Sequence, residues 1–578
     1  MVAAIDRLLP PGAPQARAAP PPATAAAAVE IIAGQICEWG GFPPVPVRRS
    51  NETVRDGRAV LPMGFATLTR ASLRHAVDLM NAALTGAADR WIDEMKPAML
   101  ALHAEADEHL GASRRYIARA AASRGIPCRP IPPGGTRLLI GEGRHGRRLD
   151  GTSTWRTNAL AMAIAGSKRL SNFALARAGV PVARQRPVDN IGDARRALAD
   201  LGLPMVLKPD RARRQSGVSF VFRPEDLDDA YALSRTTSDA LVAESWIPGR
   251  EYRALVIEGE LASIVENVPA FVTGDGQSTI AALVAAENGG RRRGPRAHGF
   301  RFSPIVLNEL AIRHLSRQGF GVDHVPAAGA TVEVYPLPMM RFGGGLKREV
   351  GDRVHPDTGA MLLRAAAVLG LDVAGIDIRT PDIAASWRVV GAGLCEVNAQ
   401  PSLNVHYNVD GGSGRDVAGI LLDRLYPAHE RRRLFHVVIV SDADRSEAGR
   451  RLAEAIGGSA GWRVALLDAR SADLAGYRPT APIRSWHAAQ AMAADDPTLD
   501  AAVHLADAAT IAGKGLGLTH ADLMVIDEAA TPPHLRRTLR ATARHAGARV
   551  ATMPASIDSL VLDTLAMIAP RTAGASLI

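Results

Sequence analysis

The sequence predicts a multidomain α/β protein, and three observations carry that expectation. At 578 residues the chain is too long for one hydrophobic core. Its 47% hydrophobic and 22% charged residues are a globular composition. From about residue 152 onward, short apolar strands alternate with amphipathic helices, the rhythm of sheets covered by helices. Four segments are expected: 1–28 of low complexity, an N-terminal α+β domain over 29–150, a larger α/β domain over 151–430, and a smaller α/β domain over 431–578.

Composition narrows the function classes. The net charge of +9 comes from 68 basic against 59 acidic residues, spread along the chain. Nucleic-acid binding favours clustered basic residues interleaved with aromatics, which are only 4% here, so no nucleic-acid partner is expected. No apolar run approaches the ~18 residues that span a bilayer. No apolar signal core follows Asp6 and Arg7, and a cytoplasmic protein without a membrane partner is expected. Three cysteines, Cys37, Cys128 and Cys395, show no metal-binding spacing and fit a reducing compartment.

In chain order, Leu110–Arg124 is amphipathic and ends before Gly-Ile-Pro. One helix is expected over Asn158–Ala178, stopped by Gly179 and Pro181. Pro204-Met-Val-Leu-Lys-Pro reads as a strand with Lys208 at its end, joined by a basic loop to Gln215-Ser-Gly-Val-Ser-Phe-Val-Phe. Alternating strands follow at Tyr252–Glu258 and Leu261–Asn267. After Glu430-Arg-Arg-Arg come a strand (Leu434–Val440), a helix (Ser446–Ile456) and a strand (Arg463–Leu467), which indicate a Rossmann-like parallel sheet.

The chemistry-bearing residues fall into one constellation. Glu396 and Asn398 share a strand face, and Asp377 closes the preceding apolar strand Val373-Ala-Gly-Ile-Asp-Ile. Three oxygen donors from neighbouring strands suit hard Mg²⁺, which bridges nucleotide phosphates with few protein carboxylates. Lys208 and Lys168 are candidate phosphate cations, although a lone strand-end lysine is more often merely solvated. Ser216 and Gly217, in the turn Gln215-Ser-Gly-Val, can present backbone N–H groups to phosphate. The backbone of Glu244-Ser-Trp-Ile offers donors and acceptors to an adenine edge beside Trp246 or Ile247, and Glu251 is placed to accept from ribose hydroxyls.

This order of motifs resembles the ATP-grasp superfamily, and more closely the ATP-grasp part of cyanophycin synthetases. The resemblance spans about 110–427. It is carried by Val242-Ala-Glu-Ser-Trp-Ile-Pro-Gly-Arg-Glu-Tyr-Arg, Gly370-Leu-Asp-Val-Ala-Gly-Ile-Asp-Ile and Leu394-Cys-Glu-Val-Asn-Ala-Gln-Pro-Ser. It implies ATP with Mg²⁺, two ions, as cofactors, and a carboxylate activated as acylphosphate before an amine attacks. It also implies a lid over about 274–316, a catalytic role for Arg253 near the phosphates, and a homo-oligomer, most simply a dimer. His298 matches the family's lid histidine after one inserted residue. It either handles the amine's proton or is a solvated loop histidine.

In cyanophycin synthetases a Mur-ligase-like domain with a phosphate-binding loop follows. Here the strand Phe435-His-Val-Val-Ile-Val runs into Ser441-Asp-Ala-Asp, without the lysine and threonine of such a loop. The C-terminal segment therefore resembles a degenerate, truncated Mur-ligase central domain that has lost ATP. One ATP site implies the second kind of cyanophycin synthetase, which joins ready-made β-Asp-Arg dipeptides into polymer. Tyr335-Pro-Leu-Pro-Met-Met-Arg-Phe and Thr154-Trp-Arg-Thr-Asn depart from the family where polymer end or amine would bind. A ligase that makes one coupling and stops, and a non-catalytic polymer- or nucleotide-binding protein, stay open as alternatives.

Overall fold

The computed structural model describes residues 29, 32–33, 66–85, 94, 113–131, 137–211, 216–290, 293, 302–338, 343–410, 414–428, 430–554 and 556–568. Four strands, β1 (Cys128–Pro130), β2 (Arg137–Ile140), β3 (Arg147–Asp150) and β4 (Ser153–Thr154), form an antiparallel meander. A second antiparallel sheet follows, from β5 (Gln185–Val188), β6 (Met205–Pro209), β7 (Ser219–Val221) and β8 (Leu241–Ser245), in the order β5-β8-β6-β7.

The third sheet, antiparallel, carries most of the chemistry. It contains β9 (Arg250–Ile257) and β10 (Glu260–Asn267). After a small ribbon of β11 (Phe271–Thr273) and β12 (Thr331–Glu333) come β13 (Lys347–Glu349), β14 (Val373–Thr380) and β15 (Gly393–Asn398), in the order β13-β10-β9-β14-β15.

Alternation along β9 shows how this sheet is used. Tyr252, Ala254 and Val256 face a core with Met361, Leu362 and Ala365 of the helix Pro356–Val368. Leu255 and Ile257 face the other way, into a core shared with Ile117, Leu138, Ile140 and Leu421. Each such buried aliphatic side chain contributes about 1.5–3 kcal/mol. Nearer the start of β9, the same face as Leu255 carries Glu251 and Arg253 instead. One strand face thus turns from apolar core to half-buried charge within four residues.

The helix expected over Asn158–Ala178 is two helices, Ala159–Ala165 and Lys168–Arg177. Gly166 weakens the continuation, and the Ser167 side chain accepts from the Leu170 N–H to cap the second helix. The break sets Lys168 at a helix start. The strand expected after Gln215 is also shorter, since only Ser219–Val221 pair, and Gln215 lies outside the described residues.

Segment 270–335 has its own small core, with Val272, Ile280, Val284, Ala311, Leu315 and Val332. Most of the arginine-rich run Arg291-Arg-Arg-Gly-Pro-Arg-Ala-His in that segment lies outside the described residues. Arg293 is described and buried, donating to the Gly343 carbonyl at 2.6 Å.

The C-terminal sheet contains β16 (Phe435–Val440), β17 (Val464–Leu467), β18 (Ala472–Leu474), β19 (Ala501–Ala506), β20 (Leu523–Ile526) and β21 (Arg549–Thr552). Its order is β18-β17-β19-β16-β20-β21, parallel except for β18. The parallel sheet expected from the α/β alternation is present. It docks on the rest of the chain through a buried chain of polar groups. Glu142 meets His436 Nε2 at 2.9 Å, and His436 Nδ1 meets His504 Nε2 at 3.0 Å. No described helix is long and apolar enough to cross a membrane.

Candidate functional site

The second and third sheets face each other across a cleft, which encloses about 1010 Å³ of empty space counted out to its open mouth. The chain passes from one wall to the other through a short connector between β8 and β9, residues 246–249. The cleft gathers Lys168, Lys208, Ser216, Glu244, Trp246, Ile247, Glu251, Asp377 and Glu396 from the sequence-derived set. Gly217 follows Ser216 in a left-handed turn, φ 67°.

The two lysines arrive by different routes. Lys208, near the end of β6, is ion-paired with Glu244 on the adjoining β8. Burial opposes its charge, but the carboxylates of Glu244 and Glu396 overcome that and raise its pKa. Lys168 stands 3.6 Å from Glu396. Its helix is anchored by Asp210, which sequence reasoning passed over as the start of a basic loop. The Asp210 carboxylate accepts from the Ser167 hydroxyl at 2.9 Å and from the Arg169 N–H at 3.0 Å.

On the opposite wall, Arg253, Asp377 and Glu396 stand in one row across β9, β14 and β15, each directly opposite the next. Arg253 Nη1 donates to Asp377 Oδ2 at 2.6 Å. Burial and the facing Glu396 nevertheless raise the Asp377 carboxyl above the usual range. Asn398 is two residues from Glu396 on the same face, opposite Gly375 and outside the cleft lining. Two facing carboxylates and a nearby amide oxygen fit a hard divalent cation, whose charge would relieve their repulsion. Among the described residues no cluster of three His, Cys, Asp or Glu groups suits a metal.

Gly375 makes room for this row. A Cβ there would lie 2.5 Å from Pro401 Cβ and 3.2 Å from the Arg253 guanidinium. Gly375→Ala is expected to push Arg253 off Asp377 and cost about 1–3 kcal/mol. Urea unfolding reads the cost, and an unchanged midpoint would contradict this packing.

Glu251, expected to accept from ribose hydroxyls, lines the cleft. It sits opposite Arg379, with Glu251 Oε2 3.6 Å from Arg379 Nη1. Burial, then the Asp377 carboxylate, outweigh Arg379 and Arg253 and lift its pKa to about 7. A carboxyl raised in the fold binds its proton there after the unfolded chain has released its own. Stability from this group is therefore present below pH ~4.5 and is lost as pH rises to ~7, by about 3 kcal/mol at most. Comparing urea midpoints at pH 5 and pH 8, Glu251→Gln is expected to show a smaller fall than the unmutated chain. Equal falls would refute the assignment.

The backbone expected to meet an adenine edge is partly spent on the protein itself. The Trp246 N–H donates to the Pro204 carbonyl at 3.2 Å, and the Ile247 carbonyl accepts from Arg379 Nε at 2.8 Å. Leu337 and Pro338, from the segment that departs from the family, line the cleft. The other departing segment is tied to Asp372, and the two residues before it are tied to the loop after β15. Thr152 donates to the Pro401 carbonyl at 2.9 Å and Ser153 to the Ala399 carbonyl at 2.6 Å, while Thr154 and Thr157 bond Asp372. Burial pushes the Cys395 thiol up to about 12, which makes it a poor nucleophile. His298 lies outside the described residues.

In the C-terminal sheet the strand ends that often take ligands in open α/β sheets hold an internal cluster. Ser441 and Arg445 Nε each donate to Asp527 Oδ2 at 2.8 Å, and Asp442 accepts from the Ala508 N–H at 2.8 Å.

No family model matches the chain. Over 424 residues, 73% of its length, it is 29% identical to the cyanophycin synthetase of Trichormus variabilis, of which it covers 46%. It is 30% identical over 432 residues to the cyanophycin synthetase of Geminocystis herdmanii, covering 74% of this chain and 49% of that one. The glutathione biosynthesis bifunctional protein of Enterococcus faecalis is 28% identical over 295 residues, 49% of this chain and 39% of that one. Among solved structures, a bifunctional glutathione synthetase from Pasteurella multocida overlaps 63% of this chain and 51% of its own, with a TM-score of 0.41 and 21% identity. The chain spans about half the length of the curated cyanophycin synthetases of Trichormus variabilis and Geminocystis herdmanii.

In class, the chain is a mixed α/β multi-sheet protein related by sequence to synthetases. More particularly, it is a relative of the cyanophycin synthetases.

Proposed function

We propose that the chain is an ATP-dependent carboxylate–amine ligase of the ATP-grasp kind, working through an acylphosphate. One observation carries the reading: a single cleft sets Lys168 and Lys208 against Asp377 and Glu396, beside Trp246 and Ile247. Such chemistry asks the protein mainly for positioning and charge neutralisation. Lys208 and Lys168 hold phosphate oxygens, and the turn at Ser216 and Gly217 adds backbone donors. Asp377, Glu396 and Asn398 would hold Mg²⁺, which when bound neutralises the transferring phosphoryl group. Arg253 restrains Asp377 and adds positive charge beside it. Leu337 and Pro338 exclude water at the mouth.

The kinship favours a polymerase that joins β-Asp-Arg dipeptides, or related ones, at this one site. Ser441, Arg445 and Asp527 close the strand ends where a second nucleotide site would be expected. The apolar Leu337-Pro338 wall favours the second reading, a ligase that makes one soluble product and stops. The test is phosphate release from Mg-ATP with β-Asp-Arg, with free Asp or Arg, and with a short cyanophycin primer. Release with the dipeptide and an insoluble product is expected. Release only with another amine and a soluble product would select the single-coupling ligase. No release above that of Glu396→Gln would overturn both readings.

A further inference from the structure

Arg379 has no part in the reading so far, yet it ties the strand that carries Asp377 to the connector between the two sheets. It lies on β14 two residues past Asp377, so both project on one face of the strand. It is 9% exposed and lines the cleft. Arg379 Nε donates to the Ile247 carbonyl at 2.8 Å, and Nη2 donates to the Gly249 carbonyl at 2.6 Å. The guanidinium also lies 4.4 Å from the centroid of the Trp246 ring, and Glu251 lies opposite it across the strand pair.

The three residues held by those contacts belong to the connector between the sheets. A second observation shows how closely that connector is drawn in. Gly249 has φ 111°, and a Cβ there would fall 2.3 Å from the Thr380 carbonyl carbon and 2.6 Å from Pro381 N. The connector backbone therefore lies directly on the end of β14. Two parallel N–H donors from a rigid planar fork, stacked on an indole, restrain position and orientation together, which a flexible lysine ammonium does not do.

We propose that Arg379 is the positioning residue that sets the base-binding edge of the cleft. This rests on the nucleotide reading of the cleft given above. Through Arg379 one strand fixes both ends of the bound nucleotide: Asp377 at the phosphate end, and the 246–249 connector at the base end. The distance between the two ends is then a property of β14 rather than of the flexible joint between two sheets. Removing the fork loosens the base end and leaves the lysine end in place.

The experiment compares Mg-ATP with Mg-tripolyphosphate, a ligand that has the phosphate chain but no base. Binding of Mg-ATP is measured by calorimetry, and of Mg-tripolyphosphate by competition against it, for the unmutated chain, Arg379→Met and Arg379→Lys. Thermal melting confirms that each variant is folded. Arg379→Met is expected to weaken ATP at least tenfold while tripolyphosphate changes less than twofold. Arg379→Lys is expected to show the same selective loss in smaller measure, and it carries the test if the methionine variant does not fold. Equal weakening of both ligands would make Arg379 a merely structural residue and overturn the proposal, as would no weakening of either. If the unmutated chain binds no ATP, the nucleotide reading itself fails, a result distinct from any of these.

Discussion

Replacing Lys208 with methionine is expected to lower ATP-dependent phosphate release about 10²–10³-fold, the usual effect of removing one donor aimed at developing charge. Methionine keeps much of the apolar stem and removes only the ammonium. The same change has a second, separable effect. Glu244 is 4% exposed and is paired with Lys208, and once the lysine is gone it keeps the neutral Gln185 amide at 3.0 Å. An uncompensated buried carboxylate costs about 3–5 kcal/mol. The two effects part in the double variant Lys208→Met with Glu244→Gln, where the neutral amide no longer needs a cation. Urea unfolding is expected to show most of the lost stability restored, with phosphate release still as low as in Lys208→Met alone. If release returned together with stability, Lys208 would be only Glu244's partner.

The second large effect lies far from the cleft. His436→Leu is expected to destabilise the protein by about 3–5 kcal/mol, because it strips partners from two buried groups at once. Glu142 loses the contact at 2.9 Å, and His504, fully buried, loses the one at 3.0 Å. Burial opposes the Glu142 charge, while His436, Arg433 and Arg129 hold its carboxyl below the ordinary range. A depressed carboxyl contributes stability above its unfolded value of ~4.5 that is lost as pH falls through the folded one. The penalty of His436→Leu, read by urea unfolding, should therefore be largest at neutral pH and shrink in acid. The double variant with Glu142→Leu should recover part of it, since two apolar partners leave no buried charge behind. A penalty that is constant down to pH 3 would refute the role given to Glu142.

What the sequence made legible was local in origin. Glu396 and Asn398 share a face because strands alternate, and Asp377 falls in a recognisable apolar strand, although that strand runs on to Thr380 and only the pairing register sets Asp377 opposite Glu396. Lys208 could be placed because a strand must run into it. The division of the helix at Gly166-Ser167 was also written in the residue types, a helix weakener followed by a good cap, but the longer apolar pattern outweighed it. Arg379 was not legible, because its partners are backbone carbonyls about 130 residues away. Those carbonyls carry no residue signature, and an arginine at a strand end reads as solvated. Glu251 was placed in the cleft, but its neutralising neighbours belong to another strand, so its setting could not be inferred. Glu142 and His436 stand 294 residues apart and obey no periodicity.

That last contact also bears on how the chain can be cut and recombined. The loop holding Glu142 comes so close to the C-terminal sheet that a Cβ on Gly143 would fall 2.2 Å from Leu434 Cδ2, and Arg144 N–H donates to the Leu499 carbonyl. A border drawn near residue 430 is therefore a border in sequence but not in space. A fragment ending there would carry an unpaired Glu142 and a freshly exposed apolar seam, and in its counterpart His436 would keep His504 but lose its carboxylate partner. Swapping the C-terminal unit for that of a relative would require exchanging the 141–147 loop with it, so the two travel as one heritable part.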